Sequence, residues 1–228
     1  KIELPLAPIL EEMKNTGIKV DKNALQKLSD KLTLENEKLR KEIYKEISTV
    51  ASSDRLNLNS PKQLGEFLFS LPPNGLGLNS RGVSKTKNGN FRVDVKVLEG
   101  LKNEHPVLSL ILKYREISKI KSTYAAPFLE LMDKNSRIHT TYLQTGTATG
   151  RLSSRDPNLQ NIPPEVRHVF IPEKKFTFIA FDYSQIELRV LASVSGDAKM
   201  IEAFKNNIDI HTLTASQILK KDIEKITN

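Results

Sequence analysis

Phe176–Arg189 reads FTFIAFDYSQIELR, and it is the only place in the chain where an apolar strand pattern ends abruptly on an acid. Phe176, Phe178, Ile179, Ala180 and Phe181 form a short run of aromatic and branched residues, which predicts a buried strand. Asp182 follows at once. A carboxylate at the end of a buried strand is costly without a cationic partner, and a divalent metal held against phosphate is one such partner. Ser184-Gln-Ile-Glu187 then reads as a capping box, in which the serine hydroxyl and the glutamate satisfy free N–H groups at a helix start. The predicted order is strand, acid, turn, helix. On these residues alone, Asp182 and Glu187 can equally be structural, because strand-to-helix turns often carry such caps.

Composition narrows the setting. The 228 residues suffice for one or two domains, and 35 Lys and Arg against 27 Asp and Glu give a net charge of +8. That balance suits a polyanionic partner such as nucleic acid or an anionic membrane surface, though a merely basic protein shows it too. There is no cysteine, which excludes disulfides and thiolate metal sites. No apolar run approaches the roughly 18 residues of a membrane span and no signal peptide is evident, so a cytoplasmic protein is expected.

Upstream, residues 1–20 place Leu4, Leu6, Ile9, Leu10 and Met13 at near-helical spacing before Gly17, a helix stop. Asp21 is placed to cap a long helix whose Leu25, Leu28, Leu32, Leu39, Ile43 and Ile47 keep helical spacing, as in a helical hairpin or bundle. Ser60-Pro61-Lys62-Gln63 is a second capping box, with Gln63 reaching back. Residues 71–90 are rich in Gly, Pro, Asn and Ser and carry Arg81, Lys85 and Lys87, an irregular basic excursion, and Asp94 is a plausible cap just beyond it. Between Pro106 and Met132 an apolar face of Leu108, Ile111, Leu112, Ile117 and Ile120 is flanked by Lys113, Arg115, Lys119 and Lys121. Residues 137–147 alternate as a strand would. The polar stretch 147–163 is far too long for a hairpin, so it is functional or disordered. Gly196 should end the helix after Glu187, and Asp197 should cap another with Met200, Ile201 and Phe204 on its inner face.

Several of these stretches resemble one family. DYSQIELR is similar to motif A of the family A DNA polymerases, the bacterial DNA polymerase I type. The resemblance extends to SPKQL, to KTKNG at Lys85–Gly89, to YREISKIKSTY at Tyr114–Tyr124, to TATGRLSSRDPNLQNIP at Thr147–Pro163 and to Asp209-Ile-His211. It implies an α+β fold, a helical thumb inserted into a partial palm with an antiparallel β-sheet. Residues 1–20 would start the polymerase domain at the palm edge, 21–136 would be the thumb with a basic tip near 81–92, and 137–228 would be partial palm with motif A. The family's residues before the helix at Asp94 are replaced here by Arg92 and Val93, and the loop after Pro163 departs from the family pattern.

The resemblance also distributes roles. Asp182 becomes the catalytic acid and, with the Tyr183 backbone carbonyl, a ligand of two Mg2+ ions. Gln185, Glu187 and His211 become nucleotide-binding residues, Glu187 blocking the ribose 2′-hydroxyl. Lys85, Lys87, Arg115, Lys119, Ser122 and Thr123 would meet DNA phosphates, which position a duplex without reading its sequence. Arg151, Asn158, Gln160 and Asn161 would approach the minor groove near the primer terminus, where purine N3 and pyrimidine O2 acceptors are common to correctly paired bases. Neither the family's R-x-x-x-K-x-x-x-F/Y-G helix nor its later H-D-E occurs, so the expected partners are primer–template DNA, deoxynucleoside triphosphates and a second chain or fragment carrying fingers and remaining palm. The function implied is template-directed DNA synthesis by two-metal nucleotidyl transfer, inactive in the isolated chain, in the cytoplasm with the nucleoid. The alternative is a non-catalytic primer–template binding module; a single-subunit RNA polymerase is disfavoured by Glu187.

Overall fold

The computed structural model describes residues 1–48 and 56–226. The chain is α+β, mostly helical with two small antiparallel sheets, and it forms two compact units, Lys1–Thr177 and Phe178–Asn228.

In the first unit, α1 (Glu3–Thr16) ends at Gly17, whose φ of 62° suits glycine. A Cβ there would come within 2.7 Å of the His139 ring and 2.8 Å of the Ile138 carbonyl oxygen, so the close approach also requires its absence. Strand β1 (Ile18–Lys19) follows, and then α2 (Lys22–Ile47), whose Asp21 cap accepts from the Asn23 and Ala24 amides. All six apolar α2 positions predicted to face a core are buried. They pack against α5 (Val107–Ile120), where Leu108, Ile111, Ile117 and Ile120 are buried in turn. Each such side chain contributes about 1.5–3 kcal/mol on full burial, so this seam dominates the unit. Asn36 crosses it, its amide donating to Ser118 Oγ (2.6 Å) and to the Tyr114 carbonyl oxygen (3.4 Å).

Helix α3 (Pro61–Phe69) starts at Ser60, which accepts from the Gln63 amide. Gln63 does reach back, but to the Asn57 amide at 2.8 Å, because the Ser60 amide already donates to the Asn57 carbonyl oxygen. The basic excursion is irregular as predicted, and Asp94 caps α4 (Val95–Leu101) through the Val97 amide. Beyond Ile120 the helix widens into a π turn, Lys121–Ala125, before α6 (Ala126–Leu131).

Three expectations in this unit need correction. The α1 face is not core: Leu10 is buried, whereas Leu4, Ile9 and Met13 are exposed, since α1 packs chiefly against strand β3 (Thr141–Leu143) and leaves its far side open. Residues 137–147 are not one strand but β2 (Arg137–Ile138) and β3, broken where Thr140 Oγ1 turns to the Arg155 and Pro157 carbonyl oxygens. The stretch 147–163, read as neither hairpin nor strand, contributes one strand: β4 (Ser153–Arg155) pairs across a long loop with β3, Thr141 opposite Arg155 and Leu143 opposite Ser153.

Strand β1 pairs with β2, Ile18 opposite Ile138, while the Asp21 amide donates to the Val169 carbonyl oxygen and the Ile171 amide to that of Lys19. The helical run therefore leaves and re-enters beside the same two-residue strand. After the short helix α7 (Pro164–Arg167), Glu173 closes this junction by accepting from Lys19 Nζ (2.8 Å) and Arg137 (2.9 Å).

The second unit contains α8 (Ile186–Ser195), α9 (Ala198–Lys205) and α10 (Ile210–Leu219). Gly196 ends α8 and Asp197 caps α9 through Met200, as predicted, although Met200, Ile201 and Phe204 are only half-buried around Ala203. Arg189 lies 4.5 Å from the Phe204 ring centre. The predicted buried strand at Phe176–Phe181, which spans the boundary between the two units, has no regular secondary structure instead, with Phe176, Phe178, Ile179 and Phe181 exposed. Its physical reason is plain: among the described residues no strand lies beside it to satisfy its backbone or cover its rings.

The Lys19–Glu173–Arg137 cluster yields a pH test. The hydrogen bond from Lys19 chiefly, then that from Arg137, holds the Glu173 carboxyl below its ordinary value. A carboxyl lowered by folding stabilises the fold above its unfolded pKa and loses that contribution as pH falls through the folded one. Glu173→Gln should lower the melting temperature near pH 7, and the gap to wild type should close progressively below the ordinary carboxyl value of 4.5. Scans of both proteins from pH 7 to strongly acid buffer check this; a gap independent of pH would make the effect one of packing.

Candidate nucleic-acid interface

Helices α4 and α5 border a cleft of about 1010 Å³, into which Arg115, Lys119 and Ser122 project beside Lys102 and Lys113. Three of the residues predicted to meet phosphates thus share one surface. Thr123, on the same π turn, is exposed. Lys113 and Lys102 are additions: Lys113 reads as an ordinary flanking charge, and Lys102 comes from another helix that Leu98 brings alongside, which no spacing within α5 could announce. Glu99 and Glu116 line the cleft as well and moderate its positive potential.

The cations differ in their freedom. Lys119 is exposed, whereas Arg115 is half-buried and donates to the Val93 carbonyl oxygen just before the α4 cap. Burial lowers the Arg115 pKa while nearby Asp94 raises it; a guanidinium stays charged regardless. Arg115 therefore joins α5 to the end of the basic excursion. At that tip Lys87 is exposed and Lys85 lies 4.6 Å from the Phe91 ring centre, in a cation–π contact. The backbone closes a tight turn between them, Thr86 N–H donating to Asn90 and Gly89 N–H to Thr86.

The 147–163 stretch is held by its own side chains. Asn158 Oδ1 accepts from Ser154 Oγ and from the Gln160 amide, both at 3.0 Å, and Gln160 Nε2 donates to the Leu152 carbonyl oxygen. Arg151 is exposed on the hairpin, its carbonyl accepting from Thr147 Oγ1 (2.7 Å). Asn161 is exposed too, and Tyr124 Oη donates to its carbonyl oxygen at 2.6 Å.

In the second unit Asp182 and Tyr183 are exposed rather than at the end of a buried strand. The Ser184–Glu187 capping box does not form. Helix α8 starts at Ile186, its N-cap is Gln185 with φ 52° and no side-chain cap bond, and the Ser184 carbonyl accepts from Arg189 Nε instead. The left-handed backbone at Gln185 moves Ser184 out of capping position. The Gln185 side chain crosses to α10, donating to the Asp209 carboxylate and accepting from the Ile210 amide at 3.2 Å. Asp209 caps α10 through Thr212, and the Thr212 amide, its hydroxyl and the adjacent His211 hold the Asp209 carboxyl below its ordinary value. Gln185 and His211 are thereby brought to the same helix end, with His211 exposed. For metal, Asp182 brings one carboxylate, and among the described residues no three His, Cys, Asp or Glu converge on a point. These residues by themselves do not fit a two-ion centre.

The chain belongs to DNA polymerase family A, whose family model matches residues 22–228. It is 45% identical over 233 residues to DNA polymerase I of Caldicellulosiruptor bescii, covering 99% of this chain and 26% of that protein. With the thermostable DNA polymerase I of Thermus aquaticus it shares 43% identity over 223 residues, 95% of this chain and 26% of that protein. Among solved structures, the POL domain of Pol1 from M. smegmatis, in complex with DNA primer-template and dNTP, matches with a TM-score of 0.86 at 35% identity, over 100% of this chain and 39% of that one. The chain spans about a quarter of the length of the curated relatives it matches. No helix among the described residues is long and apolar enough to cross a membrane.

The two cleft cations should separate on substitution. Arg115→Ala leaves the Val93 carbonyl without its donor and should cost about 1–3 kcal/mol in urea unfolding, whereas exposed Lys119→Ala should stay within about 0.5 kcal/mol of wild type. Equal losses would show that Lys119 also supports the fold.

Proposed function

We propose that this chain holds primer–template DNA and supplies part of the catalytic site for template-directed DNA synthesis. The observation that carries the reading is the cleft itself, which gathers Arg115, Lys119 and Ser122 from a motif-like stretch and adds Lys102 and Lys113 from the surrounding structure. In this reading residues 21–136 are a thumb, and the return of the chain beside β1 supports its insertion into a partial palm formed by 1–20 and 137–228. Lys85, Lys87, Arg115, Lys119, Ser122 and Thr123 bind the duplex backbone. Arg151, Asn158, Gln160 and Asn161 face the minor groove at the primer terminus, and Gln185, Glu187 and His211 receive the incoming nucleotide. The DNA partner places the protein with the nucleoid.

The reaction assigned is two-metal nucleotidyl transfer with Mg2+, to which Asp182 and the Tyr183 carbonyl are this chain's contribution. Two ions about 3.5–4 Å apart need more donors than one carboxylate provides. The remaining ligands and the fingers come, in this reading, from a further segment. The second reading, a duplex-binding module without catalysis, is favoured by that same single carboxylate.

Purified chain should bind primer–template without extending it, and binding should weaken with salt at a log–log slope of roughly −0.9 per neutralised phosphate. Lys119→Ala should make the slope shallower by about one contact. Extension by the chain alone, with no second polypeptide detected by mass spectrometry, would refute the expected dependence. Failure to bind any duplex would refute the function.

Sugar choice tests Glu187. The resemblance of Asp182–Arg189 to motif A gives Glu187 the work of occupying space at the ribose C2′. In a complete polymerase carrying these residues, Glu187→Ala should raise ribonucleotide use at least tenfold relative to deoxynucleotide use, about 1.4 kcal/mol of discrimination. An unchanged ratio of specificity constants would remove Glu187 from the nucleotide site.

A further inference from the structure

Tyr124 lies in the π turn. The buried positions of α5 are Val107 and Leu108 and then every third residue, Ile111, Tyr114, Ile117 and Ile120; the next buried side chains are Ala125, five residues on, and Phe128. Alanine, not tyrosine, takes the core position of the turn. Ser122 and Thr123 stand out toward solvent, and Tyr124 is half-buried at the rim. Its ring packs edge-on to Phe128 at 5.9 Å, Phe128 meets Phe170 in the same way, and its hydroxyl donates to the Asn161 carbonyl oxygen at 2.6 Å.

We propose that Tyr124 is a positioning residue that fixes the Asn158–Pro163 end of the hairpin loop relative to the basic face of α5. The inference rests on the DNA-holding reading above. A duplex seated on Arg115, Lys119 and Ser122 has its terminal pair inspected by groups of the loop, and the two surfaces must keep one spacing for that inspection to depend on pair geometry. Phosphate contacts set where the duplex lies but carry no information about the pair. Tyr124 belongs to the element bearing those contacts and bonds the backbone next to Gln160, whose own amide is already fixed by Asn158. One hydroxyl therefore links holding to inspection. Tyr124 itself touches no DNA in this scheme; the contacts on its turn are made by Ser122 and Thr123.

Tyr124→Phe removes the donor and keeps the ring on Phe128. In the free chain, hydrogen exchange of the 159–162 amides should quicken about three- to tenfold, the factor expected for one net hydrogen bond, while α2 and α5 keep their protection. Binding is then compared on primer–templates with matched and mismatched 3′ ends and on uninterrupted duplex. Tyr124→Phe should bring the matched-to-mismatched affinity ratio toward one and leave both the affinity for uninterrupted duplex and its salt slope at wild-type values. Equal weakening on every duplex, or faster exchange spread through α5, would make Tyr124 a general structural residue and overturn the proposal. So would an unchanged ratio or unchanged exchange of the loop. A wild-type chain that binds no duplex at all would overturn the DNA reading itself, and with it the use assigned to this link, whatever the exchange rates show.

Discussion

The packing of α2 on α5 is the constraint from which the first unit follows. Leu25 through Ile47 on one helix and Leu108 through Ile120 on the other bury one face each, and Asn36 fixes their register by bonding Ser118 and Tyr114. Once the apolar face of α5 is committed, its opposite face can point only outward. Arg115 and Lys119 are therefore presented in fixed orientation by residues that never meet solvent. The same seam brings the chain back so that β2 can lie beside β1, because a helical excursion that closes on itself returns near its origin.

Rigidity and adaptability are divided accordingly. Arg115 is anchored to the Val93 carbonyl and half desolvated, so it is a fixed positive point. Lys119 and Lys87 are exposed side chains with freedom to follow an irregular backbone. If the face holds DNA as proposed, both kinds of cation serve it, a few fixed charges for placement and mobile ones for accommodation.

What could be read in the sequence was whatever depended on local pattern. The helix spacing of α2 and α5, the caps at Asp21, Ser60, Asp94 and Asp197, and the stops at Gly17 and Gly196 all follow from neighbours in the chain. The failures needed partners distant in sequence. Phe176–Phe181 has a strand's composition, but composition does not supply a neighbouring strand. The pairing of β3 with β4 is supported by Thr140 and Asn158 side chains taking up backbone groups that turn statistics leave unassigned. Ser184 lost its capping role because Gln185 is held by Asp209 and Ile210, more than twenty residues away. Arg115, Lys119 and Ser122 were grouped by the resemblance of Tyr114–Tyr124 to a family segment, while the contribution of Lys102 was not legible at all. Nothing in the sequence announced the π turn, which shows only in the structure.

The exposed side chains of Phe176, Phe178, Ile179 and Phe181 also bear on the colloidal behaviour of the protein. Exposed apolar groups gain by covering one another, and in a concentrated solution the nearest similar surface is another copy. Opposing that encounter is the net charge of +8, which keeps molecules apart over a Debye length of about 10 Å at 0.1 M salt and over much less at 1 M. Ionic strength thus sets the range of the repulsion without weakening the attraction between rings. High-salt buffers, the usual means of stripping nucleic acid from a basic protein, would here remove the barrier that keeps these apolar surfaces from meeting.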